Sequence, residues 1–229
     1  MRQRWHDLLF AHWPLEPASV RATLPPGLEL ETFGGSAWIG VVPFRMSGVR
    51  LRAAPPLPGL SRFPELNLRT YVRAGGKPGV WFYSLDAASA LAVFAARRWF
   101  HLPYFRARIE CVEREGTIRY RHERTHRGAA AAALEASYRP CSAPRLAARG
   151  SLEHFLTERY CLYAWSSRAQ LLRAEIDHAP WELQDAEAEL GRNTLAVAAG
   201  LALGAQEPLV HFARLQVVRV WAPRPVSNA

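Results

Sequence analysis

The alternation of apolar and polar positions is clearest over residues 63–108. From Glu65 to Val72 it is strict. Glu65, Asn67, Arg69 and Tyr71 fall on one side, and Leu66, Leu68, Thr70 and Val72 on the other. A period of two predicts a strand. Val80 to Leu85 is aromatic and β-branched and predicts a second strand. Gly75-Gly76-Lys77-Pro78-Gly79 between them predicts a hairpin. Asp86 or Ser89 is placed to cap a helix running to Trp99, with Leu91, Phe94 and the alanines on its buried side. Pro103 ends it and Tyr104 opens the next strand. The polar side of the first strand carries an acid, an amide, a guanidinium and a phenol. It is either a solvated hairpin surface or a pocket wall. A closed or cone-like sheet turns one strand face inward, where polar groups must find partners or ligands.

The flanking pattern is also strand-rich. Residues 1–15 hold Trp5, Phe10 and Trp13, an aromatic opening expected to pack on the sheet. Residues 17–24 suit a short helix with Pro17 in its first turn. Leu28–Phe33 and Ala37–Met46 flank Gly34-Gly35 as a hairpin, and Pro43 marks an edge or a bulge. Residues 53–64, AAPPLPGLSRFP, form a loop that is either a lid or a rigid connector. Alternation resumes after Tyr104, with a hairpin turn at Glu115-Gly116. Residues 129–136 form a helical turn or lead into a strand. Ser151 caps a short helix. Residues 160–165, 171–176 and 186–190 predict strands, 193–203 a helix, and 209–221 a long final strand.

At 229 residues, with 17 prolines and 15 glycines, the chain suits one β-rich domain spanning 1–229. Its formal net charge is +9, almost all of it arginine, and Lys77 is the single lysine. The arginines are scattered rather than clustered, so nucleic-acid or polyanion binding ranks behind other readings. Three separated cysteines without C-x-x-C argue against a disulfide framework and a cysteine zinc site. The apolar piece Leu8–Ala11 is too short for a signal peptide, and no run approaches the ~20 residues of a membrane helix. A cytoplasmic protein is expected. His122-Glu123-Arg124-Thr125-His126 satisfies H-E-x-x-H, but its flanks read as a strand. Strand residues four apart are separated by roughly 13 Å, too far to share an ion held at about 2 Å. No metal and no cofactor are expected.

The segments FAHWPLEPASVRATLPPGLELETFGGSAWIGVVPF, FPELNLRTYV, PGVWFYSLDA, RWFHLPY, SLEHFLTERYCLYA and HAPWEL resemble the uncharacterised YqjF-like family, whose fold is placed in the acetoacetate decarboxylase-like superfamily. The resemblance implies a β-rich α+β fold: a strongly curved antiparallel sheet, cone- or barrel-like, with a few short helices around a central pocket. The superfamily's decarboxylases use a lysine Schiff base in a Phe-Pro-Lys-Lys run. The matching run here is Leu102-Pro103-Tyr104-Phe105, with Tyr104 in the lysine's place. A Schiff-base amine needs a depressed pKa, and Lys77 lies in a glycine-rich turn. Imine decarboxylation is therefore not expected. Glu65 resembles the counterpart of the decarboxylases' active-site glutamate.

These observations assign candidate roles. Glu65 is the general acid or base and Tyr104 a proton or hydrogen-bond donor. Arg69 either pairs with Glu65 or holds a substrate carboxylate. Asn67, Tyr71, Tyr83, His101 and Arg45 are further substrate-binding candidates; a structural histidine competes as a reading of His101, and a surface arginine as a reading of Arg45. Three functions stay open. The first is a lysine-independent, lyase- or isomerase-type enzyme acting on a small carbonyl or carboxylic acid compound. The second is a non-catalytic protein binding an acidic or carbonyl-bearing small molecule. The third is a polyanion binder. Related folds often assemble, so a homo-oligomer is compatible with the resemblance.

Overall fold

The computed structural model describes residues 1–50 and 61–226. Most of the proline-rich loop lies outside them. The strands are β1 (Arg2–Leu15), β2 (Glu29–Leu30), β3 (Ala37–Arg50), β4 (Arg62–Ala74), β5 (Lys77–Ala87), β6 (Tyr104–Arg114) and β7 (Thr117–Arg124). They continue with β8 (Ala133–Pro140), β9 (Arg145–Leu146), β10 (Cys161–Trp165), β11 (Leu171–Asp177), β12 (Glu182–Asn193), β13 (Leu209–Val220) and β14 (Arg224–Pro225). Among the described residues the short helices are α1 (Pro17–Arg21), α2 (Ala90–Ala95), α3 (Leu152–Thr157) and α4 (Leu195–Ala198). A π-helical turn, Ala96–Phe100, continues α2.

The strands form a strongly curved, mainly antiparallel sheet in the order β14-β11-β10-β5-β6-β7-β8-β12-β13-β1-β3-β4-β2. Two further pairings, β4 with β5 and β11 with β13, turn this path back on itself. Two ring-like circuits result. One runs β5-β4-β3-β1-β13-β11-β10, and the other β5-β4-β3-β1-β13-β12-β8-β7-β6. They share the wall β5-β4-β3-β1-β13. The first ring has narrow seams: β11 meets β13 at Ile176↔Val220 and Asp177↔Arg219, and β10 meets β5 at Leu162↔Val80 and Tyr163↔Trp81. At the second seam a Cβ on Gly79 would stand 2.6 Å from Cys161 Sγ, so the close approach requires glycine.

The shared wall has an interior on each side, so its strands are buried on both faces. In β1, Leu8 and Phe10 enter one core, while Leu9, Ala11 and Trp13 enter the other. The aromatic opening is thus a central strand between β13 and β3, not a segment laid over the sheet. In β4, Phe63 and Tyr71 enter the first core, and Leu66 and Leu68 the second. Pro43 sits inside β3, across from a break in the β1 ladder between His6 and Ala11, where its missing N–H is tolerated. The hairpin expected across Gly34-Gly35 closes at one bridge, Phe33 to Ser36, and goes no further, because β2 pairs with β4.

The expected strands at β6, β7, β10, β11, β12 and β13 are present, and of the two readings left open for 129–136 the one leading into a strand, β8, holds. The helices differ more. Ser89 Oγ caps α2 by accepting from Ala92 N at 3.3 Å. Asp86 does not cap it; it is wholly buried in β5. Leu91 and Phe94, expected inside, are 57% and 62% exposed, and Val93 is the buried residue of the helix. The helix expected at 193–203 shrinks to α4. Among the described residues no helix is long and apolar enough to cross a membrane.

Candidate functional site

A cavity of about 460 Å³ occupies the first ring, and all seven of its strands contribute to the lining. The walls are mostly apolar, with Leu8, Phe44, Phe82, Leu162 and Trp181 among them. The exposed Leu91, Phe94 and Trp99 border it where α2 and the π-helical turn meet solvent. Polar side chains enter from few places: Gln3 from β1, Arg50 from β3, Glu65, Asn67 and Arg69 from β4, Tyr104 from β6, Thr157 at the end of α3 and Arg159 after it, and His178 after β11. The three from β4 share one direction because strand residues two apart project alike.

Glu65 is buried, and Tyr104 Oη donates to its Oε2 at 2.8 Å. From the opposite interior, Tyr120 Oη donates to the Glu65 carbonyl oxygen at 2.8 Å. Burial pushes the Glu65 carboxyl up to about 8; the Tyr104 hydrogen bond opposes this and the nearby Asp86 charge adds to it. Glu65 is therefore mainly a neutral acid at pH 7. Burial and the adjacent Glu65 hold Tyr104 well above the ordinary phenol range, so it stays protonated. Asp86 is itself held by Arg124 Nη2 at 3.0 Å and lies 2.8 Å from His122 Nε2, all behind the cavity wall.

Arg69 is buried beside Asn67 on the same strand face. Its Nη2 donates to the Leu156 carbonyl oxygen at 3.2 Å. Its guanidinium carbon lies 5.4 Å from the Phe10 ring and 5.7 Å from the Tyr71 ring. Among the described residues it has no ion-pair partner, and it does not pair with Glu65. Arg69 Nε, Asn67 Oδ1 and Trp181 Nε1 are buried without hydrogen-bond partners, and all three residues line the cavity. Arg159 differs: it pairs with Glu31, and its Nε donates to the Phe155 carbonyl oxygen at 2.8 Å. Gly40 leaves room for this arrangement, since a Cβ there would come within 3.0 Å of the His12 ring and 3.4 Å of Arg69 Cγ.

Four other candidates stand away from the cavity lining. Arg45 has the opposite parity on β3 to Val42, Phe44 and Met46, and it pairs with Asp7 on the far face. Tyr83 is turned into the second interior by the bulge between the Leu68 and Arg69 pairings, and its hydroxyl lies 2.7 Å from Thr23 Oγ1. Tyr71 keeps the parity of Glu65 but packs behind the arginines, with its hydroxyl 2.6 Å from His12 Nε2. His101 closes the π-helical turn in a left-handed conformation at φ 54°. Of the H-E-x-x-H residues, His122 lies on β7 facing Asp86, while His126 Nδ1 accepts from Arg106 N at 3.1 Å. Lys77 pairs with Glu175 and does not line the cavity. Thr157, Arg159, His178 and Trp181 have no periodic signal. Their only sequence mark is membership of the SLEHFLTERYCLYA and HAPWEL segments.

The model of the DUF2071 family, described as "uncharacterized conserved protein", matches residues 2–216. The chain is 48% identical over 227 residues to the uncharacterized protein YqjF of Bacillus subtilis (strain 168), covering 99% of this chain and 93% of that one. Its fold is similar to that of the enduracididine biosynthesis enzyme MppR complexed with pyruvate, with a TM-score of 0.66, 17% identity, and 99% and 90% of the two chains covered. It is also similar to acetoacetate decarboxylase from Legionella pneumophila, with a TM-score of 0.64, 15% identity, and 99% and 88% covered. At these identities the likeness is one of fold: a ring-like, acetoacetate decarboxylase-like sheet.

Proposed function

We propose, from the premise that the chain belongs to the DUF2071 family of uncharacterized conserved proteins, that its cavity binds a small carboxylic acid with a nearby carbonyl oxygen and transfers a proton on it without a lysine Schiff base. One observation carries this reading. A neutral acid, Glu65, and a buried guanidinium with no anionic partner, Arg69, face the same cavity four residues apart on β4. Burying an uncompensated charge is costly. A ligand carboxylate removes that cost and accepts two hydrogen bonds from the fork. Asn67, between the two, offers its free Oδ1 to a ligand hydroxyl.

Tyr104 directs its hydroxyl hydrogen at Glu65 Oε2, which leaves Oε1 for the ligand. Protonated Glu65 donates to the carbonyl oxygen; ionised, above about pH 8, it takes a proton from the adjacent carbon. Imine chemistry is set aside because Lys77 is paired with Glu175 away from the lining. The pyruvate complex of the similarly folded MppR supports an acid of this type. A polyanion role has less support, since the arginines are scattered along the chain and several outer ones pair across strands, as in Arg139–Glu187 at 2.7 Å and Arg145–Asp185 at 2.8 Å.

The test is exchange of α-protons in deuterated water, followed by proton NMR, over a panel of 2-oxo, 3-oxo and 2-hydroxy acids. Wild type should exchange label into at least one acid. Glu65→Gln should bind that acid without exchange, and Arg69→Gln should lose binding. Binding without exchange in wild type would make this a binding protein, the second reading left open by the absence of a lysine nucleophile. No binding of any acid would remove the proposal.

A further inference from the structure

We propose that the ligand of this cavity is an amphiphilic acid, its carboxylate at Arg69 and its apolar alkyl or aryl body extending toward α2 and the π-helical turn. This rests on the acid-binding reading above and specifies the rest of the molecule. The cavity, at about 460 Å³, lies within the ~300–1,000 Å³ of sites that enclose drug-sized ligands. A water takes ~30 Å³ of liquid, so a three-carbon acid displaces only a handful and leaves most of the apolar wall wet. Most polar groups lie on the β4 face with Tyr104 beside it, at the end of α3 and after it, and after β11, with Gln3 and Arg50 added from β1 and β3. The walls contributed by β5, β10, β11, β13 and α2 are apolar and offer an acid no side-chain hydrogen bonds.

The entrance has the same character. Leu91, Phe94 and Trp99, each more than half exposed, all border the cavity. A cluster of exposed apolar side chains marks an interaction site. Here it is continuous with an interior that ends at a buried guanidinium, so its complement is apolar at one end and anionic at the other. The helix is anchored through Val93, and Ala92, Ala95 and Ala96 keep the lining smooth beneath the larger residues.

Isothermal titration with 2-oxopropanoate, 2-oxohexanoate and 2-oxodecanoate, each below its micelle concentration, tests this. Affinity should rise about fourfold per methylene until the chain reaches the entrance. Trp99→Ala and Phe94→Ala should each weaken the ten-carbon acid about tenfold and leave the three-carbon acid unchanged. Acids that bind in an Arg69-dependent way with no dependence on chain length would overturn this inference and leave the acid-binding reading standing. Equal affinity for an acid and its methyl ester on wild type would overturn both, a readout that holds even where Arg69→Gln fails to fold. Uptake of the long acid that is unaffected by Trp99→Ala and by Phe94→Ala would also overturn it.

Discussion

The two interiors on either side of the shared wall are built from alternate residues of the same strands, yet they are filled differently. Behind β4, Leu66 and Leu68 pack with Ile118, Leu134 and Phe212. Two tyrosines reach backbone carbonyls from that side: Tyr120 donates to the Glu65 carbonyl and Tyr138 to the Asp7 carbonyl, at 2.8 and 2.9 Å. In front of β4, Asn67 Oδ1, Arg69 Nε and Trp181 Nε1 are buried and unpartnered. Native interiors satisfy nearly all such atoms. The contrast teaches that the open polarity of the front interior is not a general looseness of the molecule. The same backbone carries a core 180° away that is filled chiefly by apolar side chains, with His122 Nδ1 a buried atom there that lacks a partner.

Four experiments test that contrast, from the largest expected effect to the smallest. Leu68→Ala should lower stability by about 2–5 kcal/mol in urea unfolding, the cost of a core cavity. A loss below about 1 kcal/mol would mean that the rear interior is not well packed. Next is Glu65→Gln, whose effect depends on pH. The folded carboxyl holds its proton up to about 8, against an ordinary 4.5. Between those values the folded state binds the extra proton, so wild-type stability is full below about 4.5 and falls as pH rises toward 8. Glutamine cannot ionise. The variant should match wild type near pH 4.5 and exceed it by on the order of 4 kcal/mol at pH 9. Equal denaturation midpoints at both pH values would show Glu65 to be ionised and solvated.

Smaller effects complete the set. Tyr120→Phe should cost about 1–3 kcal/mol by orphaning a buried carbonyl, read from the same denaturant curves. Asn67→Leu, on the front face, should change stability by no more than about 1 kcal/mol in either direction, because it removes an atom that has no partner. Its affinity for the acid ligand should nonetheless fall about tenfold in calorimetry. A large destabilisation would show that Asn67 is a structural residue and would weaken the contrast.

Much of this was legible in the chain. The period-two pattern located β4, β6, β7 and β12, aromatic and β-branched runs located β5, β10, β11 and β13, and alternation put Glu65, Asn67 and Arg69 on one face. Parity also held the answer for Arg45, which alternates against Phe44 and Met46 on β3. Tyr83 escaped because a bulge resets alternation, and a bulge has no reliable mark in composition. Leu91 and Phe94 escaped for another reason. Helical spacing groups residues on one face but does not say whether that face meets a core or an opening. Thr157 ends a short helix and Arg159 and His178 sit in connections without a period, so only their position in space brings them to the cavity.

By itself, then, the sequence determined where most of the strands lie, which residues share a face, and the family to which the chain belongs. Those properties are local, or they follow from similarity along the chain. Only the tertiary structure decided that both faces of β4 are interiors, that Arg69 meets a carbonyl and aromatic rings rather than Glu65, and that Glu65 lies deep enough to keep its proton at neutral pH. The physical reason is that burial and electrostatic partnership depend on which strands, distant in sequence, come together. Here two seams of two residue pairs each complete a ring around the cavity.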